Sequence, residues 1–595
     1  MDIKTLAKKI RSRKFEVIFF LLVFLIFFRF DAVPLQTDEW GYAVAAKYVT
    51  SDPFSPQTLE TLNEYQLLTR PICLVIFIPF YLVFGTNYLT AMPFFHLLLS
   101  LLTLLLVYFN FRLFEKLFGR SVAFLSSFLL SASFFVVYTF WYTASVNINI
   151  ATLCIVAAAF FFTKIEERNS KYFAAFFMVV GMLTRETVAI AFILMIAALF
   201  ITNKKARSKT TIAVLALPFV LFAAVLFLLT GFVLQPLQSG MISKSPDLVA
   251  NLGVYFGYWF GYYLLTQIIG FSILLFLVGT AFAARKGISR AIKKIVPRHW
   301  FSLSPKQSAI LVLAAAFAGG LVPLAVATQS SPRYVVPVLP IIFGFAAKFF
   351  SDAVLDKLTE KAKNFFLFFL LSNLAFWVLF FNSKNLLWIF GSGSIGAMVI
   401  ALNLLFFAIV LSVPAFVLYD FFRTKKAKRT GFPVLAAFAI MSFLIAFSSV
   451  VQINELNVFY VTHYHNSSVA FQANKFIAET VPGGATVYSQ QDLSWIYFMS
   501  LEAFGRKDIN LVLRAPELPE LKKGDFVVYN SRVGSQTWQT IQGDRNSFEL
   551  LVSFGGQYKK YPRSSLEKSG LFSEGLLFRL FLDRAETMDI YRFKG

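Results

Sequence analysis

Apolar runs recur from residue 15 to about residue 451, many of them long enough to cross the roughly 30 Å hydrocarbon layer of a bilayer. Inside hydrocarbon every backbone N–H and C=O must be satisfied within the segment itself, so runs of this length fold as helices. With 57% hydrophobic residues, 15% charged residues and 74 Phe in a chain of 595, the sequence is too apolar for a soluble protein of its size. It reads as a polytopic α-helical membrane protein.

The net charge of +23 would suit nucleic acid if it were spread evenly, but it is not. From residue 452 onward there are 16 Lys/Arg and 15 Asp/Glu, so nearly all the excess lies in short loops between apolar runs. That is the pattern of cytosolic loops in a membrane protein, and no nucleic-acid partner is expected. Helices are expected over 15–30, 88–110, 121–140, 143–163, 171–184, 187–202, 210–230, 262–284, 308–328, 334–350, 364–383, 394–419 and 431–451, which makes about 13 spans. With this alternation one side of the membrane half holds 31 Lys/Arg and the other only seven. The N-terminus is therefore expected in the cytosol and residues 452–595 outside. The basic start, MDIKTLAKKIRSRK, is followed by no small-residue cleavage pattern, so the first helix is expected to stay.

Residues 31–87 form the first outer loop, which is acidic. The stretch 71–85 is too short and too Pro-broken for a comfortable span and is expected to lie in the outer interface. The loop 231–261, rich in Gly and aromatics, suits an interfacial segment over a lipid entry.

The few ionic residues of the outer side form the candidate site: Asp38 and Glu39, Arg70, Arg185 with Glu186, and Arg333 followed by Tyr334. Charges beside hydrocarbon are expensive unless they have partners or work to do. The ordinary reading of each arginine is a helix-end side chain snorkelling to lipid headgroups. At Arg333 the neighbouring Pro332, Pro337 and Pro340 break the helix and open backbone groups, which membranes tolerate where a cavity is lined. An arginine fork binds phosphate bidentately, and a carboxylate can take a proton from an attacking hydroxyl or amine, or hold a divalent cation. Asp38 and Glu39 could in that way hold Mg²⁺ or Mn²⁺. There is no phosphate-binding Gly-rich loop, serine elbow or zinc-binding HExxH. Cys73 and Cys154 sit in apolar surroundings and give neither a disulfide framework nor metal-ligand spacing, and the four His are scattered.

Beyond residue 451 the composition changes. A periodic helix (SSVAFQANKFIAETV), a PGG turn and the strand-like runs ATVYS, DINLVLRA, GDFVVYN, FELLVSF and MDIYRF predict a small α/β domain over 452–595. The membrane domain is expected to be 1–451.

Four stretches in chain order carry a family resemblance. TDEWGYAVAAKYV resembles an acidic motif leading into a helix. LLTRPICLVIFIPFYLVFG, continuing to RLFEKLFGRSVAFLSS, resembles a charged-residue–Pro segment, an interfacial helix and a basic FGR loop. GMLTRETVAIAF is similar to an LTK turn, and SPRYVVPVLP to an RYLLPxLP motif. Together they resemble the GT-C class of membrane glycosyltransferases, in the branch of the protein O-mannosyltransferases and lipid A aminoarabinose transferases. The likeness spans roughly residues 1–350.

The resemblance implies a GT-C architecture and transfer of a sugar, usually with inversion, from a polyprenyl-phosphate-linked donor to a protein, lipid or glycan acceptor on the outer face. It implies Asp38 as the catalytic carboxylate with Glu39 beside it, and Arg70, Arg185 (in the place of the usual Lys) and Arg333 as donor phosphate-binding residues. Where relatives often carry an Asp after the third span this chain has Asn147, which weakens the case for a metal. The WWD-type motif of oligosaccharyltransferases is absent, so transfer of a whole oligosaccharide to Asn is not expected. The competing function is a transporter or flippase of lipid-linked sugars. That reading asks for inverted repeats and midplane charges, and the sequence shows no repeat.

Overall fold

A computed structural model describes residues 13–28, 38–64, 67–85, 88–137, 145–230, 304–326, 332–390, 432–463, 469–489, 508–512, 515–530, 535–555 and 587–595, with a few isolated positions between them. The expected loop 231–261 and most of the expected helices 262–284 and 394–419 lie outside these residues.

The described helices are α1 (Lys14–Phe27), α2 (Asp38–Ser51), α3 (Pro56–Glu64), α4 (Pro71–Phe84), α5 (Tyr88–Phe118), α6 (Arg120–Ser131), α7 (Val146–Phe162), α8 (Ser170–Thr184), α9 (Val188–Thr202), α10 (Lys209–Thr230), α11 (Pro305–Val326), α12 (Leu339–Ala353), α13 (Glu360–Phe390), α14 (Phe432–His463), α15 (Val469–Thr480) and α16 (Ser535–Gly543). Among the described residues four helical stretches are long and apolar enough to cross a membrane, and seven shorter apolar helices accompany them. The chain is an integral membrane protein.

Two expected spans are shaped differently from the sequence pattern. The 121–140 segment stops at Ser131, followed by the short turn Phe134–Val137. The segment expected to start at 334 begins as a 3-10 stretch, Pro332–Val338, and becomes α-helical only at Leu339. Proline explains the second case: Pro337 has no N–H to donate, whereas Pro340 falls in the first turn of α12, where no donor is needed. α14 runs on to His463, twelve residues past the end expected from hydropathy.

Contacts divide the chain into two compact units. Met1–Arg29, Gln66–Cys73 and His96–Asn454 make one; Phe30–Tyr65, Leu74–Phe95 and Glu455–Gly595 make the other. In the first, α7 packs against α8, α9 against α11, α6 against α12, and α1 against α13. Lipid tails are as apolar as these side chains, so helices pair by close packing, and small residues let them approach. Gly319 of α11 lies so near the backbone of Ala191 in α9 that a methyl group there would collide, and the ring of Phe114 occupies the space a Cβ at Gly344 would need.

In the second unit α2 and α3 pack together, with Ser55 accepting a hydrogen bond from the Thr58 N–H (3.2 Å) and Pro56 at the first helical position. Tyr42 of α2 is buried edge-on to Phe77 of α4, ring centroids 6.0 Å apart.

The same unit contains a five-stranded sheet built from all five expected runs: β1 (Thr486–Ser489), β2 (Asn510–Val512), β3 (Phe526–Asn530), β4 (Phe548–Gly555) and β5 (Thr587–Phe593). The order is β2-β1-β3-β5-β4; β1 runs parallel to β2 and β3, and β5 is antiparallel to β3 and β4. Residues alternate between faces. Met588 and Ile590 join Val487, Phe526 and Val528 under α15, through Ala473, Ile477 and Val481. Phe593 joins Val527, Phe548 and Tyr488 under α16, through Ile541.

Candidate active site

The site is assembled around a three-residue turn between α8 and α9. Arg185 leaves α8 in extended conformation and still donates its N–H to Gly181 O (2.9 Å). The N–H groups of Val188 and Ala189 return to the carbonyls of Arg185 (3.2 Å) and Glu186 (3.1 Å). The turn's backbone is thus tied into the flanking helices, and its side chains are the polar groups left to find partners. Both Arg185 and Glu186 are buried, and Arg185 Nε donates to Thr187 Oγ1 at 3.2 Å.

Arg70 meets Glu186 across 116 residues of sequence. Its Nε donates to Glu186 Oε2 at 3.0 Å and its Nη2 to Oε1 at 2.9 Å, a bidentate fork on a carboxylate. The two side chains keep only 13% and 9% of their surface. Pro71 explains where Arg70 stands: a residue before proline avoids the helical region, so α4 starts just after it. One turn further, Cys73 is buried with its Sγ 3.8 Å from the carbonyl oxygen of Thr184. Burial works to raise the pKa of Glu186, but the charge and hydrogen bonds of Arg70, with Arg185 nearby, outweigh it and hold the carboxyl below the usual carboxylate range.

Asn147 is buried in the first turn of α7. Two residues on, Asn149 donates to Thr103 Oγ1 of α5 at 2.9 Å, a buried amide–hydroxyl tie between the two helices. The sequence reading missed that tie. Its only signal was the N-I-N spacing, which puts two amides into an otherwise apolar helix. The 3-10 stretch that carries Arg333 and Tyr334 packs against α7, α11 and the Phe134–Val137 turn. The side chains of Arg333, Tyr334, Asp38 and Glu39 lie outside the described residues; the backbone places Asp38 and Glu39 at the start of α2.

Of the predicted residues, the structure therefore brings Arg70, Arg185 and Glu186 together. Among the described residues no three His, Cys, Asp or Glu side chains converge. The chain matches the family model of the dolichyl-phosphate-mannose-protein mannosyltransferases over residues 70–228. The matched stretch starts at Arg70 and contains Asn147, Arg185 and Glu186. Two crystal structures of ArnT from Cupriavidus metallidurans are similar to the chain. The one bound to undecaprenyl phosphate is 13% identical, with a TM-score of 0.48 over 91% of this chain and 96% of that one. The apo form is 14% identical, with a TM-score of 0.45 over 92% and 96%. No curated protein matches the chain.

Proposed function

We propose that this protein is a membrane glycosyltransferase that moves a hexosyl or pentosyl group from a polyprenyl-phosphate carrier to a protein, lipid or glycan acceptor on the outer face of the membrane. The observation that carries the reading is the buried Arg70–Glu186 fork beside Arg185, lying inside the stretch that matches the mannosyltransferase family model. A solvated or snorkelling arginine would not be buried on a carboxylate. An arginine fixed by a carboxylate is preorganised, which is what stabilisation of a leaving phosphate requires.

In this mechanism the donor's phosphate rests against Arg333 and Arg185. Arg70 is held in a fixed plane by the donation of its Nε and Nη2 to Glu186. Asp38 takes the proton from the acceptor hydroxyl or amine as that atom attacks the anomeric carbon. The bond from that carbon to the phosphate oxygen breaks on the opposite face, and its electron pair leaves with the polyprenyl phosphate. Attack from the opposite face inverts the anomeric centre. The guanidinium groups stabilise the charge that develops on the phosphate, in a site of low dielectric. Glu39 sits next to the base. Asp38 and Glu39 are the carboxylates that would hold a divalent metal, and no step is routed through one.

The test uses purified protein, radiolabelled polyprenyl-phosphate mannose or aminoarabinose, and an envelope extract as acceptor. Label should appear in a non-carrier product. Asp38→Asn keeps the shape and removes the basicity; it should insert normally and transfer no label. Full transfer by that variant would remove the proposed base.

A further inference from the structure

On the α16 side of the sheet, one row of side chains crosses three strands: Tyr529 on β3, Asp589 on β5 and Ser553 on β4, each directly opposite the next. Ser553 Oγ donates to Asp589 Oδ1 at 2.5 Å, and Tyr591 Oη approaches Oδ2 at 3.5 Å. Trp538 of α16 stacks on the Tyr529 ring, centroids 4.8 Å apart. Toward β4 this face is open: Ser553 is exposed, and Leu550, opposite Tyr591, keeps 51% of its surface. No lysine or arginine pairs with Asp589 among the described residues, although it lies on an inner strand. Burial and the Asp589 charge push the Tyr591 hydroxyl up to about 12 and raise that of Tyr529, so both phenols stay protonated donors.

The position has its own significance. β1 has β2 on one side and β3 on the other, so the chain reverses its direction of travel at the β1/β3 pair. Open α/β sheets take their ligands at the carboxyl ends of the strands at such a reversal. Tyr529 is the next-to-last residue of β3.

We propose that this row is a saccharide-binding platform that takes an uncharged or amino sugar. A pyranose has an apolar C–H face and a rim of hydroxyl donors. The Trp538–Tyr529 edge and Tyr591 match the face, and Asp589, which pairs with no lysine or arginine among the described residues, accepts from the rim. The Asp589 carboxylate disfavours phosphorylated or sulfated sugars by charge repulsion. The platform is separate from the transfer reaction, so each reading can fail without the other.

The experiment is saturation-transfer NMR on the full-length protein in nanodiscs with mannotetraose or chitosan tetrasaccharide, and with a heparin tetrasaccharide as the anionic comparison. Saturation should reach the C–H protons of at least one of the first two and not those of the heparin fragment. Trp538→Ala and the isosteric Asp589→Asn should each weaken binding about tenfold, as loss of one aromatic or charged contact does. Asp589→Asn should keep the unfolding midpoint. Absence of transfer to both probes, equal transfer to the heparin fragment, or binding untouched by Asp589→Asn and Trp538→Ala would each overturn the proposal.

Discussion

Removing Arg70 should damage this protein more than removing both Arg70 and Glu186. The fork makes two hydrogen bonds, at 2.9 and 3.0 Å, between side chains that keep 13% and 9% of their surface. Taking one partner from a buried pair leaves the other desolvated and uncompensated, a loss of about 3–5 kcal/mol. Arg70→Met should sit near the lower end, about 3 kcal/mol, because Arg185 still acts on Glu186. The double variant Arg70→Met/Glu186→Met replaces the pair by apolar groups of similar length and should lose less than either change alone, giving a coupling energy of about 2 kcal/mol or more. The assay is reversible unfolding in mixed micelles for wild type, both single variants and the double variant. The pH dependence follows with a definite sign. The folded Glu186 titrates below its unfolded value of about 4.3, so its contribution is complete above that pH and is lost as pH falls through the lowered value. Wild type should therefore lose stability on acidification in that window, and Arg70→Met should lose less. Additive single changes, each below about 0.5 kcal/mol, would mean the pair is an ordinary exposed ion pair and would refute the reasoning.

Arg333→Ala should raise the half-saturation concentration of polyprenyl-phosphate sugar by about tenfold or more, as loss of one charged phosphate contact would; initial rates at varied donor concentration decide it, and an unchanged value removes the contact. Thr103→Val should cost about 0.6–1.7 kcal/mol in the same unfolding assay, because it removes the acceptor of the buried Asn149 amide. Gly344→Val should destabilise by about 1–3 kcal/mol, since the Phe114 ring fills the space its side chain would need; Phe114→Leu in the same chain should recover part of that loss.

What this chain is made to live in was settled by local pattern alone. The length of the apolar runs and the placing of lysine and arginine between them require a membrane, and turn residues bounding β-rich runs marked all five strands of the sheet and helix α15. These signals are local because solvation and backbone period act on neighbours. Arg70 and Arg185 could likewise be picked out as charges with nowhere cheap to go, and Glu186 beside them. The pairing of Arg70 with Glu186 could not be read, nor the amide tie from Asn149 to Thr103, because each joins residues far apart in sequence that meet only when helices pack. The same holds for Tyr529, Asp589 and Ser553, which share a row only because strand register puts them there. Helix α16 has a weaker apolar stripe than α15 and is defined by the sheet face it covers. Composition chose the solvent and local period chose the elements; which side chain faces which was decided by the closing of long loops, and that is a property of the packed chain.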